Sequence, residues 1–262
     1  MKGRNLLPKA TAVVLLSASL TLVPWTDARA QGQLPPVDQL TAAAKKNDAT
    51  AQYQLGLCYE LGIGTEQDVK EAVRWYTRAA KTNADAMHQL GFLEALGIGT
   101  AKPDDKEALK WYLKGAEAGH VQCMFKLGLY YEKGLGLKAP DLAEAFKWYK
   151  KVAEQNVLEA QYQVGRMLFS GQGAGQDYAE ATRWFRKAAD AGFAPAQYAL
   201  GNAYSLGQGV PRDLSEAYKW LVIAANTGSD DAAKRRDSMV GLYKMTPEQV
   251  AEGQKRALAY KK

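Results

Sequence analysis

The sequence predicts an all-α fold, a right-handed α-solenoid of helix-turn-helix repeats, and three observations predict it. Five of the six tryptophans fall at 75, 111, 148, 184 and 220, spacings of 36 or 37 residues, and a fixed period of that size marks stacked structural repeats. Seven residues before each stands an aspartate (Asp68, Asp104, Asp141, Asp177, Asp213), followed three residues later by a glutamate (Glu71, Glu107, Glu144, Glu180, Glu216). Upstream of each lies Leu55-Gly56, Leu90-Gly91, Leu127-Gly128, Val164-Gly165 or Leu200-Gly201. One such unit cannot bury its apolar faces alone, but stacked units can.

The elements follow in chain order. Lys2, Arg4 and Lys9 precede the apolar run Ala10–Leu22, and Ala28-Arg29-Ala30 follows it. Charge, apolar run and small-residue exit in that order predict a secretory signal peptide over 1–30, cleaved after Ala30, and so a periplasmic or secreted protein. The run has thirteen residues, short of the roughly 20 that span a bilayer, so no stable membrane insertion is expected once it is removed. Four cations (Lys2, Arg4, Lys9, Arg29) leave with it against one acid, Asp27, and the formal charge of the chain falls from +6 to +3. A balance that small calls for neither nucleic acid nor anionic lipid as a partner.

Residues 31–48 read as a linker ending at Pro35-Pro36 and an N-terminal capping helix from Asp38 to about Lys46. Five repeats then cover 49–228, at about 49–83, 84–119, 120–156, 157–192 and 193–228. In each, a first helix (A) carries the Leu-Gly pair, a small residue four positions before it (Ala51, Ala86, Cys123, Ala160, Ala196) and, in most copies, an aromatic four after it (Tyr59, Tyr131, Tyr204). A glycine inside a helix costs about 1 kcal/mol relative to alanine. Five repetitions imply a compensating contact, most simply two helix axes brought close with no side chain between. Helix A ends at Gly-x-Gly turns such as Gly62-Ile63-Gly64 and Gly171-Gln172-Gly173, where a left-handed residue is expected. These turns follow helices, not strands, and lack the residues of a phosphate-binding loop.

Asp-x-x-Glu then opens the second helix (B) as a capping box, the Asp accepting from first-turn N–H groups and the Glu reaching back to the N–H of the cap. Five pairs of carboxylates speak for capping, not for acid/base chemistry. Ala72, Trp75, Tyr76, Ala79 and Ala80 form an apolar stripe of period 3.6, repeated in every copy, which predicts buried tryptophans. After the repeats, 229–262 reads as C-terminal capping: an A-type helix over Asp230–Tyr243, then Thr246-Pro247-Glu248-Gln249 as a second kind of capping box opening a helix to about Tyr260.

Ala51-x-Tyr53-x-Leu55-Gly56-x-x-Tyr59-x-x-Gly62-x-Gly64, followed by Asp68-x-x-x-Ala72-x-x-Trp75-Tyr76-x-x-Ala79-Ala80, resembles the Sel-one-like repeat, a relative of the tetratricopeptide repeat, in five copies from about Ala49 to Gly228. Repeat two departs most, with His88 in place of Tyr or Phe and Glu94 in place of the closing aromatic. The resemblance implies a tetratricopeptide-like superhelix and a role in envelope assembly, signalling or host contact.

The five copies compare with one another: constant positions serve the fold and variable ones are free for use. By analogy with tetratricopeptide arrays the A helices line the concave face. The variable rows there are Leu57, Phe92, Leu129, Arg166, Asn202 and Glu60, Ala95, Glu132, Phe169, Ser205. From them Leu57, Glu60, Phe92, Leu129, Glu132, Arg166, Phe169, Asn202 and Ser205 are the candidate contacts to a protein or peptide partner. The near-constant row Tyr53, His88, Phe125, Tyr162, Tyr198 reads as inter-repeat packing. No catalytic, metal or cofactor set emerges. His88 and His120 fall at unrelated repeat positions without ligand spacing, and His120 is expected in solvent at a repeat junction. Cys58 and Cys123 stand at unlike positions two repeats apart and are expected as buried free thiols. A non-enzymatic scaffold is therefore the first reading. The alternative, a cell-wall or β-lactam-directed hydrolase, comes from the cysteine-rich branch of the repeat family. This chain lacks that branch's cysteine pairs and any Ser-x-x-Lys.

Overall fold

The computed structural model describes residues 34–260, and the expected signal segment 1–30 lies outside them. Among the described residues there are thirteen α-helices and no strand. They fall into two compact units that divide at Ala79 and Ala80.

The first unit holds α1 (Val37–Lys45), α2 (Ala49–Leu61) and α3 (Val69–Ala79). Asp48 caps α2, accepting from the Thr50 and Ala51 N–H groups at 2.9 and 3.0 Å. Gln52 donates from Nε2 to the Ala44 carbonyl at the end of α1, 3.0 Å away, and so ties α1 to α2. Leu40, Ala44, Leu55, Cys58 and Trp75 share one core. At the close of α2, Gly62 takes the left-handed conformation (φ 69°), which costs glycine nothing.

The second unit stacks four helix pairs: α4 (Ala84–Leu96) with α5 (Asp105–Glu117), α6 (Val121–Lys133) with α7 (Leu142–Ala153), α8 (Leu158–Ser170) with α9 (Tyr178–Asp190), and α10 (Ala194–Leu206) with α11 (Leu214–Asn226). Two further helices, α12 (Asp230–Leu242) and α13 (Pro247–Ala259), close it. Each A helix packs on its own B helix, and α5, α7 and α9 each pack on the next A helix. Repeat two forms its A–B contact as the others do, despite His88 and Glu94.

The helix-interior glycines have a more specific cause than close axes. A Cβ on Gly56, Gly91 or Gly128 would lie 2.5, 2.7 or 2.6 Å from the ring of Tyr76, Tyr112 or Tyr149, and one on Gly165 would meet Phe185 at 2.6 Å. In repeat five Gly201 faces Leu221 in the same way, at 2.9 Å. The space that the glycine leaves is filled by the residue after each repeat tryptophan, and in repeats four and five the helix-B backbone closes on it as well, the Ala181 and Ala217 carbonyl oxygens lying 3.1 and 3.2 Å from such a Cβ. Tyr53, His88, Phe125 and Tyr162 lie against those same rings, at centroid distances of 5.3–6.0 Å.

The capping box forms only in half. Each repeat aspartate caps its B helix, as in Asp104 accepting from the Lys106 and Glu107 N–H groups at 3.0 Å. Its own N–H donates instead to a carbonyl near the end of helix A: Tyr59, Glu94, Tyr131, Leu168 and Tyr204 accept from Asp68, Asp104, Asp141, Asp177 and Asp213 at 2.8–3.2 Å. With that N–H already spent, the glutamates turn to neighbours on the helix surface. Glu71, Glu107, Glu144 and Glu216 pair with the cation three residues on, and Glu180 and Glu216 accept the indole N–H of Trp184 and Trp220. Among the described residues the complete box occurs at Thr246–Gln249, opening α13.

Tryptophan burial also differs from the expected uniformity. Trp75, Trp184 and Trp220 are buried, but Trp111 and Trp148 are half-buried, with Lys114 and Lys151 ammonium groups 4.2 and 4.3 Å from their ring centres. Trp220 is fully covered because Tyr260, the residue that ends α13, packs on it at 5.1 Å. In the interior of the unit, the turn glycines Gly136, Gly173 and Gly209 press on the first-turn backbone of α5, α7 and α9. The first turn of α11 receives Gly253 of α13 instead, whose Cβ would come within 2.8 Å of the Ser215 carbonyl oxygen. Arg256 secures this contact by donating to Asp213 and Glu216 at 2.9 and 3.3 Å.

Candidate partner-binding face

None of the nine candidate residues is exposed: Glu60 and Ser205 are buried and the other seven half-buried. In the first unit Leu57 is half-buried, whereas Glu60 is buried and accepts the Tyr76 hydroxyl at 2.6 Å. Burial, then the Glu60 charge, pushes the Tyr76 phenol well above its ordinary range, so it stays a donor. Glu60 therefore holds the ring that fills the Gly56 notch.

In the second unit Phe92 and Leu129 are half-buried on α4 and α6. Glu132 is mostly covered and works on two sides: Oε2 accepts the Tyr149 hydroxyl at 2.9 Å, and Oε1 accepts Nη2 of Arg166 at 2.5 Å. Nε of Arg166 in turn donates to Gln163 at 2.8 Å. This links α6 to α8, two successive A helices, through a charge-assisted contact with side-chain exposures of 32% and 22%. Phe169 is half-buried and packs on Tyr178 (4.8 Å) and Phe185 (6.0 Å). Ser205 is buried and donates to the Asn202 carbonyl at 2.8 Å, while Asn202 Oδ1 accepts from Nε of Arg235 at 3.0 Å and joins α10 to α12. Glu132, Arg166 and Asn202 are thus held between successive A helices, while Glu60, Phe169 and Ser205 are held within their own repeats.

Sequence reasoning missed the partners of these residues. Gln163 and Arg235 sit one repeat on or one turn away. Ion pairs and hydrogen bonds at separations of 33 and 34 residues follow from the repeat period, once side chains at equivalent A-helix positions are set beside each other.

A second missed constellation surrounds the histidines. His120 is not in solvent. Its side chain is 13% exposed, because the ring serves as the N-cap of α6: Nδ1 accepts from the Cys123 N–H at 3.3 Å, and Nε2 meets Asp85 Oδ1 at 3.1 Å. The His88 ring lies 5.3 Å away. Burial first, then the neighbouring His120 and Lys126, holds His88 down at about 3, so it is neutral at any physiological pH. The His120 hydrogen bond lowers Asp85. Cys58 and Cys123 are free and buried, and burial pushes the Cys123 thiol up to about 12. Among the described residues no group of three His, Cys, Asp or Glu side chains is placed to hold a metal ion, and no helix is long and apolar enough to cross a membrane.

Comparison with known proteins places these observations. The family described as Sel1 repeat matches the chain five times, at residues 49–81, 84–120, 121–157, 158–193 and 194–229. One similar solved structure is c5321, a protective antigen present in uropathogenic Escherichia coli strains and displaying an SLR fold. It is 30% identical with a TM-score of 0.74, over 85% of this chain and 48% of that one. Another is a Sel1 repeat protein from Oxalobacter formigenes, 34% identical with a TM-score of 0.59, over 72% of this chain and 75% of that one. The chain thus spans about half the length of the first of these. No curated protein matches it.

Proposed function

Because the chain belongs to the Sel1 repeat family, whose members generally mediate protein–protein interaction on a fold that is generally a non-enzymatic scaffold, we propose that it is an adaptor of the bacterial cell envelope. In this reading it is exported by its first thirty residues and holds a peptide or protein partner on the face of its A helices. The observation that carries the reading is the cross-linking of successive A helices by their variable residues, Glu132 with Arg166 and Asn202 with Arg235. Side chains fixed in this way lose little conformational entropy when a partner arrives, which is the condition for a passive, geometric scaffold to bind well. Within the same unit, half-buried Phe92 and Leu129 on A helices α4 and α6 supply apolar area.

The test is affinity capture from an envelope extract with the purified protein as bait, repeated with Leu129→Ser and Arg166→Gln together. Loss of the same captured protein, with helicity retained, supports the reading; undiminished capture overturns the choice of face. N-terminal sequencing of the exported protein tests the export step, with Gln31 as the expected first residue.

A further inference from the structure

Toward the C-terminal end of the second unit two arginines without an acidic partner meet at one tyrosine. Arg166 is matched by Glu132, and Arg256 by Asp213, Glu216 and Glu252. Arg212 and Arg235 have no carboxylate partner among the described residues. Nε of Arg212 donates to the Ser205 carbonyl at 3.1 Å, and Arg235 donates to Asn202 Oδ1 and to the Tyr243 hydroxyl, both at 3.0 Å. Every acceptor is neutral. Both guanidinium groups lie beside the same ring, their central carbons 5.2 and 5.6 Å from the Tyr243 centroid. Two like charges thus share one ring, and the Nη groups of Arg212 keep unspent donors. Its side-chain contacts with Ser205, and then with Arg235, hold the Tyr243 phenol below its ordinary range. The residues next to Ser205 and Tyr243 in the chain, Leu206 and Leu242, are large apolar side chains left 53% and 63% exposed.

We propose that Arg212, Arg235 and Tyr243 form a carboxylate-binding site that, with Leu206 and Leu242 beside it, receives an acidic partner segment carrying apolar side chains between its carboxylates. This rests on the reading of the A-helix face as the partner surface, and gives that partner its chemistry. A carboxylate matches the fork of either arginine in geometry and supplies the negative charge that neither finds among the described residues. The exposed leucines favour a peptide over a bare anion, because a free phosphate gains nothing from apolar neighbours.

The experiment is calorimetric titration of the purified protein with a blocked synthetic peptide alternating Glu and Leu. The same peptide with Gln for Glu and inorganic phosphate serve as comparators. The Glu peptide is expected to bind, with affinity weakened about tenfold or more in the Arg212→Gln/Arg235→Gln double variant, the scale of one charge-assisted contact; the Gln peptide is expected not to bind. Circular dichroism checks that the variant is folded. If it is not, Arg212→Lys/Arg235→Lys keeps the charge, removes the fork, and is expected to bind with intermediate affinity. Equal affinity of the wild type and the double variant overturns the site, as does phosphate competing as well as the Glu peptide. If Arg166→Gln abolishes peptide binding while Arg212→Gln/Arg235→Gln does not, this site falls and the broader face stands.

Discussion

Replacing Gly128 with alanine sets two known effects against each other. An alanine in a helix is favoured over glycine by about 1 kcal/mol, so on propensity alone Gly128→Ala stabilises. In this fold the new Cβ would sit 2.6 Å from two carbons of the Tyr149 ring, a contact that cannot persist. The ring has nowhere easy to go: it is 1% exposed, its hydroxyl is held by Glu132 at 2.9 Å, and Phe125 packs against it at 5.3 Å. Overpacking of a filled core costs about 1–3 kcal/mol. With the propensity gain deducted, the expected result is a net loss of up to about 2 kcal/mol. Gly241 supplies the control, because it is helical and a Cβ there would meet nothing within 4 Å. Gly241→Ala is expected to stabilise by about 0.5–1 kcal/mol. Urea unfolding followed by far-ultraviolet circular dichroism measures both. Gly128→Ala stabilising to the same degree as Gly241→Ala would refute the ring-in-notch explanation of the repeat glycines.

The buried histidine predicts acid sensitivity. Unfolded, His88 takes a proton near pH 6.5; folded, it does so only near 3. Its neutral form therefore contributes stability fully present above pH 6.5 and lost as pH falls below it, about 2 kcal/mol between pH 7 and 5. Asp85, held below its ordinary 3.8, adds to the loss only in stronger acid. His88→Tyr, the residue of repeats one, four and five at that position, is expected to flatten the dependence of urea midpoint on pH from 7 to 5, and an unchanged slope would remove His88 as its source. The thiols make a separate check. Cys58 and Cys123 are buried, and burial raises both pKa values, so a thiol reagent is expected to find no fast-reacting group in the native protein and two after denaturation. One or two rapid reactions in the native state would contradict the packing around them.

The fold was legible because its signals are periodic. Trp75, Asp68 and Gly56 recur with their counterparts at fixed spacing, so one helix pair, read once, gave five. What pattern could not supply was which atom satisfies which. Asp68 and Glu71 have the spacing of a reciprocal capping box, but whether the box closes depends on a competing acceptor: the Tyr59 carbonyl, brought within 2.9 Å of the Asp68 N–H by the preceding turn. His88 and His120 look unrelated along the chain because one is a ladder position and the other a helix cap. Stacking sets the ladder residue of one repeat against the cap of the next, and Tyr162 meets Phe193 by the same relation. The candidate rows were visible as variable positions, yet variability does not report burial, and Ser205 and Glu60 vary while pointing into the packing.

On the proposed reading, the A-helix face is where the protein meets its partner. Site-specific photo-crosslinking in cells tests it most directly, with the crosslinker placed in turn at Leu129 and Arg166 on A helices and at Lys110 and Lys147 on the exposed surface of B helices. One common adduct is expected from Leu129 and Arg166 and none from the B-helix positions; an adduct confined to Lys110 and Lys147 would overturn the choice of face.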